Sequence, residues 1–329
     1  MSRLCLYYRQ EPERDRWFAG DRFIRPVLRR LLRRTPRPGG VEKVFINLSL
    51  GLDRLGERYE VNLPFKKLRA DDRVAILGRG LNCLRGYDRP NRIVAGIGLM
   101  THPSEWPRLC EEFPVVRYLQ HSEWCDRLYR PYYGDRCRIW PVGINTDEWQ
   151  PDTTTARSTD FLIYEKVRWD IPKLTQTLLD PIRTELTARG LAFETIRYGS
   201  YTPAQFKDAL ARARALIYLS SHESQGLACQ EAMAAGVPVL AWDNGRVLDP
   251  ERFKWNPAQP EIPATSVPYF DQRCGLRFRD FTEFPPQLTE FQARIQSGGF
   301  APRSYVLENL TLEKCARQFL SIVNEAYAE

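Results

Sequence analysis

The chain has 329 residues, long enough for two domains with separate cores, and its 43% hydrophobic and 12% aromatic content is ordinary for a soluble globular protein. No run approaches the roughly 18 apolar residues of a membrane-spanning helix, and the first residues lack an apolar core of signal-peptide length, so a cytoplasmic protein is expected. The net charge of +7 is localised: residues 1–37 hold eleven arginines against four acids and the rest balances, which argues against a nucleic-acid binder with an extended basic stripe.

In chain order, residues 4–8 read as a first strand. Gly39 and Gly40 then open a helical stretch in which Val41, Val44, Phe45, Leu48 and Leu52 recur at three- and four-residue spacing. Residues 73–77, 92–97 and 115–119 read as strands, 122–134 as a helix, and 138–144 as the last strand of a first half. The polar run 144–160 reads as a linker. The alternation then restarts, with strands at 161–164, 192–198 and 216–219. Helices are expected at 174–190 and over the ALARARA stretch, 209–215. A helix at 226–235, a strand at 237–242 and a long helix from 310 follow. Alternating strands and helices predict a mostly parallel sheet covered on both sides in each half. Such folds bind ligands where strand ends meet helix N-termini. The eight cysteines are scattered without a C-x-x-C pair or Cys/His cluster, as expected of reduced packing residues, and no metal site is expected.

The stretch YLSSHESQGLACQEAMAAGVPVLAWD carries the chemistry. A strand ends in the polar loop 220–225, and a helix starts near Gly226, where free amides and the positive dipole end suit a phosphate. Gly236 stops the helix and Pro238 opens the next strand. Glu223 lies before the helix and Glu231 inside it, both within reach of one ligand across the helix start. A typical glutamate is solvated, but Ala232, Met233, Ala234 and Ala235 place Glu231 on a largely packed helix.

This segment resembles the signature of glycosyltransferase family 4, retaining enzymes of the GT-B type, through Glu223, Ser224, Gly226, Leu227, Glu231, Ala232, Met233, Ala234, Gly236, Pro238 and Val239. The resemblance implies two Rossmann-like βα domains facing across a cleft, with a nucleotide-sugar as substrate and no cofactor. Glu223 would face the donor sugar, with His222 and Ser224 lining its cleft. The amides around Gly226 and Leu227 would hold sugar and diphosphate, and Glu231 the ribose. Gly39 and Gly40 would match the family's glycine loop, and Gly143, Ile144 and Asn145 the turn ending its first domain.

The family carries an Arg and a Lys after the first strand of the second domain, which neutralise the leaving diphosphate without a metal. FLIYEKVRWDIPK has no Gly-Arg pair. Lys166 most nearly takes the Arg position, and Arg168 or Lys173 supplies the second cation. His102 is a candidate for the histidine that family members place near the donor sugar. Catalysis would thus fall to Glu223, Lys166 and His102.

The implied partition is 1–148 for the acceptor-side domain, 149–310 for the donor-side domain, and 311–329 for a C-terminal helix packing back on the first. In the arginine-rich segment, Phe23, Ile24, Val27, Leu28, Leu31 and Leu32 share one helical face, flanked by Arg22, Arg25, Arg29, Arg30, Arg33 and Arg34. A basic amphipathic helix of this kind suits an anionic membrane surface. A peripheral contact at the inner face of the membrane and a lipid-linked or anionic acceptor are therefore expected. The alternatives are another GT-B enzyme, an epimerase or a phosphorylase, and a non-catalytic sugar or nucleotide binder. No lysine context for the pyridoxal phosphate of a phosphorylase is evident.

Overall fold

A computed structural model describes residues 2–10, 18–21, 24, 39–255, 257–258 and 261–328. The segment 22–34 and the membrane contact expected of it lie outside the described residues, apart from Ile24, which is exposed. The chain divides into two compact units: the first runs to Gln120 and includes Tyr129–Trp140 and Ala316 onward, and the second comprises His121–Leu128 and Pro141–Cys315.

The first unit is built on six parallel strands: β1 (Leu4–Gln10), β2 (Tyr59–Val61), β3 (Arg73–Arg79), β4 (Ile93–Gly96), β5 (Val115–Gln120) and β6 (Cys137–Ile139). Their order is β2-β1-β3-β4-β5-β6. Parallel strands are covered on both faces and read as unbroken apolar runs; Leu4–Tyr7 and Val74–Leu77 are accordingly buried at every position. Helix α1 (Gly40–Arg54) buries Val44, Leu48 and Leu52, one residue per turn of its apolar stripe.

The second unit carries five parallel strands: β7 (Thr159–Lys166), β8 (Phe193–Arg197), β9 (Ala213–Ser220), β10 (Val239–Trp242) and β11 (Gly275–Phe278), in the order β11-β10-β9-β7-β8. Its longer helices include α2 (Asp180–Ala188), α3 (Pro203–Arg212), α4 (Leu227–Ala234), α5 (Phe284–Gln296) and α6 (Pro302–Asn309). Even-numbered Leu162, Tyr164, Leu216 and Tyr218 enter one core with α3, α4 and α6. Odd-numbered Phe161, Ile163, Ala215, Ile217 and Leu219 enter the other with α2 and α5. This is the two-residue period of a strand between two helical layers. Each unit is thus a doubly wound, Rossmann-like βα sandwich, and the architecture is the GT-B one expected from the sequence.

Three expected elements are corrected. The stretch 209–215 is not one helix: α3 stops at Arg212 and β9 begins at Ala213. Ala213 and Ala215 are buried before and after the exposed Arg214, an alternation that the Ala- and Arg-rich stretch conceals. The strand expected over 138–144 ends at Ile139, because Pro141 has no N–H for the ladder. Beyond it, Gly143 lies so close to the start of the last helix, α7 (Leu312–Ala328), that a Cβ there would sit 2.5 Å from the Thr311 carbonyl oxygen. The helix expected over 174–190 widens into a π-turn at Thr175–Leu179, just ahead of Pro181, which cannot donate the regular backbone bond.

The last turn of α7 meets a row of arginines from the first sheet. Arg73 donates to Asn324 at 2.5 Å and Arg92 to the Ala326 carbonyl at 3.0 Å; Arg117 and Arg138 share the Glu325 carboxylate at 2.9 and 2.5 Å. Cations at a helix C-terminus are also favoured by its dipole. We expect Glu325→Ala to cost about 1 kcal/mol, a figure discounted because Glu325 is partly solvated, and to lower Tm by about 2 °C in calorimetry. An unchanged Tm would show that these contacts are mere surface pairs.

Candidate functional site

The connections leaving β7 set the site's place. Helix α2 leads from β7 to β8 over one face, and α3 leads from β8 to β9 over the other. Neighbouring strands β7 and β9 therefore flank a topological switch point, where the carboxyl ends of an α/β sheet open a crevice. At that end Lys166, the last residue of β7, is the register partner of Ser220, the last residue of β9. Both project on the same face as Tyr164 and Tyr218.

Glu223 hangs over this crevice. Its backbone is pinned from two sides: its N–H donates to the Thr265 carbonyl at 3.0 Å, and the Trp124 indole donates to its carbonyl at 2.8 Å. The carboxylate receives the Lys166 ammonium at 2.7 and 2.9 Å, the Tyr218 hydroxyl at 2.8 Å and the Ser220 hydroxyl at 2.7 Å. Burial alone would raise its pKa, but the Lys166 charge and these hydrogen bonds outweigh that and hold the carboxyl below its usual range. Glu223 is a buried, permanent anion at neutral pH. Lys166 also lies over the half-exposed Tyr198 ring, 4.6 Å from its centroid.

Beyond Glu223 the exposed Ser224 leads to Gly226 and then α4. Gly226 has φ +83°, and a Cβ there would meet nothing nearer than 3.6 Å, so its backbone conformation rather than space calls for glycine. First-turn amides of a helix lack acceptors within it, and those of α4 face the same end of the sheet. Helix α4 is buried from Cys229 to Ala234, so Glu231, 3% exposed, sits inside the fold as the sequence suggested. Its charge reaches Tyr201 and adds to the burial that raises that phenol's pKa.

His222 stacks on Trp169, with centroids 5.0 Å apart and 6° between the planes, and meets the Trp124 edge at 5.8 Å. Burial drives its pKa down to about 4, against the raising pull of Glu223 and Asp249, so the imidazole is neutral at pH 7. Arg168 is exposed and lies 5.1 Å over the Trp169 ring, and Lys173 is exposed on the short helix that follows. The structure thus gathers Lys166, His222, Glu223 and Tyr218 at one strand end, with Gly226, Leu227 and Glu231 on the adjoining helix.

The remaining candidates belong to the first unit. Gly39 and Gly40 are exposed at the start of α1, where the Gly39 N–H donates to the Glu42 carboxylate at 3.3 Å. His102 is buried, its Nδ1 lies 2.8 Å from the Ser104 hydroxyl, and burial lowers its pKa. Among the described residues, no three His, Cys, Asp or Glu side chains gather as a metal site.

Residues 176–249, which include Glu223, Gly226 and Glu231, match the family described as glycosyl transferases group 1. The chain is similar to that group over this segment, which lies in the second unit. It is similar in structure to a TarM variant from S. aureus solved with fondaparinux, α-GlcNAc-glycerol and UDP (12% identity, TM-score 0.52), covering 74% of the present chain. Because that protein is longer, the chain spans 53% of its length. Sucrose-phosphate synthase from Thermosynechococcus elongatus aligns over 99% of both chains at 14% identity and a TM-score of 0.54. The lipopolysaccharide outer core galactosyltransferase WaaB aligns over 98% of this chain and 99% of its own, at 9% identity and a TM-score of 0.51. At these identities the likeness establishes the GT-B fold. No curated protein matches the chain in sequence.

Within this group 1 segment, sequence reasoning missed three side chains. Tyr218 and Ser220 were passed over, although alternation along β9 puts both on the Glu223 face. Gln225 was passed over as well. It is 2% exposed, donates to the Val142 carbonyl at 2.7 Å and to Gln230 at 2.9 Å, and accepts from the Val142 N–H at 2.9 Å. Nothing local signals this, since Val142 is 83 residues away.

Proposed function

We propose that the protein is a retaining, metal-independent glycosyltransferase whose second unit binds a nucleotide-sugar donor. The observation that carries this reading is the buried Glu223 carboxylate beside the N-terminus of α4, at the switch point of β7 and β9. A carboxylate kept ionised by Lys166 is a strong acceptor for sugar hydroxyls. The α4 amides take the diphosphate, and Glu231 takes the paired ribose hydroxyls. Arg168 and Lys173 are exposed cations at this end that would stabilise the departing phosphate. Lys166 would join them only by sharing itself with Glu223. The bond from the anomeric carbon to the phosphate oxygen breaks while the acceptor oxygen bonds on the same face, and the acceptor proton passes to the leaving phosphate. His102, Gly39 and Gly40 are assigned here to the first unit's share of the donor and acceptor contacts.

A lipid-linked or anionic acceptor at the inner membrane face remains part of the proposal. The eleven arginines of residues 1–37 support it, as does the likeness in fold to a protein named for the lipopolysaccharide outer core. No described helix is long and apolar enough to cross a membrane. Charge reversal of Arg29, Arg30, Arg33 and Arg34 is expected to abolish co-sedimentation with anionic liposomes; unaltered co-sedimentation would remove the membrane from this account.

A thermal-shift screen against UDP-, GDP- and ADP-sugars is expected to select one nucleotide class. For that nucleotide, Glu231→Ala is expected to weaken binding by about 10- to 100-fold in calorimetry, the range for losing hydrogen bonds to a charged group. Unchanged affinity removes Glu231 from the ribose. Transfer activity is expected to persist in EDTA, and its loss there would overturn metal independence.

A further inference from the structure

The two oxygens of the Glu223 carboxylate are not equivalent. Oε1 accepts three hydrogen bonds, from Lys166 at 2.7 Å, Tyr218 at 2.8 Å and Ser220 at 2.7 Å. Oε2 accepts one among the described residues, from Lys166 at 2.9 Å. A carboxylate oxygen offers about two lone pairs, so Oε1 is saturated and Oε2 keeps an acceptor site. Tyr218 and Ser220 stand two residues apart on β9 and project on one face, so both hydroxyls approach from below the strand end. Tyr218 is itself held. It is 1% exposed and its ring stacks on Tyr164 at 5.2 Å, while the Tyr164 hydroxyl accepts from Tyr201 at 2.9 Å. A phenol so confined has one direction in which to donate.

We propose that Tyr218, assisted by Ser220, is a positioning residue that turns Oε1 of Glu223 into the fold and leaves Oε2 as the oxygen offered to the donor sugar. The inference rests on the reading of Glu223 as the sugar-facing carboxylate. It assigns Tyr218 no contact with substrate. The side chain acts through Glu223, and Lys166, which bridges both oxygens, supplies charge without choosing between them. Among the described residues, His222 of its own loop, Lys166 and Tyr164 of β7, Tyr201 ahead of α3 and Cys229 of α4 are further titratable groups whose electrostatics couple to this carboxylate.

The test replaces Tyr218→Phe, which retains the ring and its stacking on Tyr164 and deletes the hydroxyl alone. Ser220→Ala is its companion, and thermal melts confirm that each is folded. In protein labelled with 13C at the glutamate carboxyl, the Glu223 resonance is identified by its loss in Glu223→Gln and titrated. Losing one of three donors to Oε1 is expected to raise its midpoint by about 0.5–1 pH unit in either variant. Kinetics use whichever of UDP-, GDP- and ADP-glucose the wild type turns over. Tyr218→Phe is expected to lower kcat about tenfold with the donor KM within about twofold, the pattern of a group whose orientation matters mainly in the transition state. An unchanged midpoint overturns the proposal whatever the activity. A raised midpoint with unchanged kcat overturns it too, by showing that the hydroxyl affects charge but not catalysis. If the wild type turns over none of the three donors, the functional reading fails on its own account, and an unchanged midpoint would still overturn the Tyr218 contact with Glu223 separately.

Discussion

Replacing Lys166 by methionine is expected to destabilise the protein by about 3–5 kcal/mol at pH 7.5, because it strands a buried carboxylate. The Lys166 and Glu223 side chains are 17% and 10% exposed, so little water reaches the pair to screen the loss. Two hydroxyls would remain on Glu223, too few to offset its desolvation. Against a typical total stability of about 5–15 kcal/mol, this change is among the largest a single substitution can produce. A solvated surface lysine would shift stability by less than about 0.5 kcal/mol, so urea unfolding separates the two cases. The pH dependence changes sign between the proteins. In the wild type Glu223 titrates below its ordinary value of 4.5. Its contribution is therefore complete above that value and lost as the pH falls through the folded-state pKa. In Lys166→Met burial goes largely unopposed and raises the folded-state pKa above the unfolded one. This group then destabilises the variant at neutral pH, and acidification toward pH 5 relieves it. Between pH 7.5 and 5 the urea midpoint of the variant should rise while that of the wild type stays put, and only below its ordinary value should the wild type lose this group's contribution. Adding Glu223→Gln to the variant should restore part of the loss, since no charge is left without its partner. If the double variant is no more stable than the single one, Lys166 does not serve Glu223.

How much of this was legible in the sequence follows from which interactions are local. The parallel strands β3, β4, β7 and β9 announce themselves because burial on both faces demands continuous apolar runs. Short edge strands have no such requirement. Tyr59–Val61 of β2 is half-exposed to exposed throughout, and β11, Gly275–Phe278, alternates around an exposed Arg277; both escaped notice. The run 144–160 looked like a polar linker, yet Trp149 is 2% exposed and its carbonyl accepts from Arg303 at 3.0 Å, 154 residues on. In the candidate site, Glu223, Gly226 and Glu231 could be grouped from the sequence because they lie close together in one loop-helix segment. The ion pair of Glu223 with Lys166 spans 57 residues and depends on β7 lying beside β9. Sequence suggested Lys166 as a cation for phosphate; only the strand order reveals a lysine already bound to the Glu223 carboxylate. That difference bears on mechanism, because phosphate and Glu223 would compete for one ammonium.

Gln225→Leu is expected to cost about 3–5 kcal/mol, although leucine fills much the same volume and adds apolar surface. The reason lies in what the amide leaves behind. Its Oε1 satisfies the Val142 N–H at 2.9 Å, and its Nε2 satisfies the Val142 carbonyl at 2.7 Å and the Gln230 side-chain oxygen at 2.9 Å. These partners are buried, as Val142 is 1% and Gln230 1% exposed. An unsatisfied buried polar group costs about 1–3 kcal/mol, and here three lose a partner together. The gain from burying leucine, about 1.5–3 kcal/mol for a full side chain, offsets only part, and Gln225 already excludes water. Gln225→Glu discriminates the causes: it keeps the acceptor for Val142 N–H and removes both donors. It should be at least as damaging as leucine at pH 7.5, because it also buries a charge, and should recover as the pH falls and the carboxyl protonates. Gln225 immediately precedes Gly226, and Gln230 closes the first turn of α4 by donating to the Gln225 carbonyl at 2.9 Å. The pair therefore sets the angle at which the helix presents its amides. On the proposed function, Gln225→Leu should weaken binding of the free nucleoside diphosphate as well as stability, measured at a temperature where the variant remains folded. Reduced stability with unchanged nucleotide affinity would confine Gln225 to holding residues 142 and 230, and would separate the anchoring of this loop from the phosphate role proposed for it.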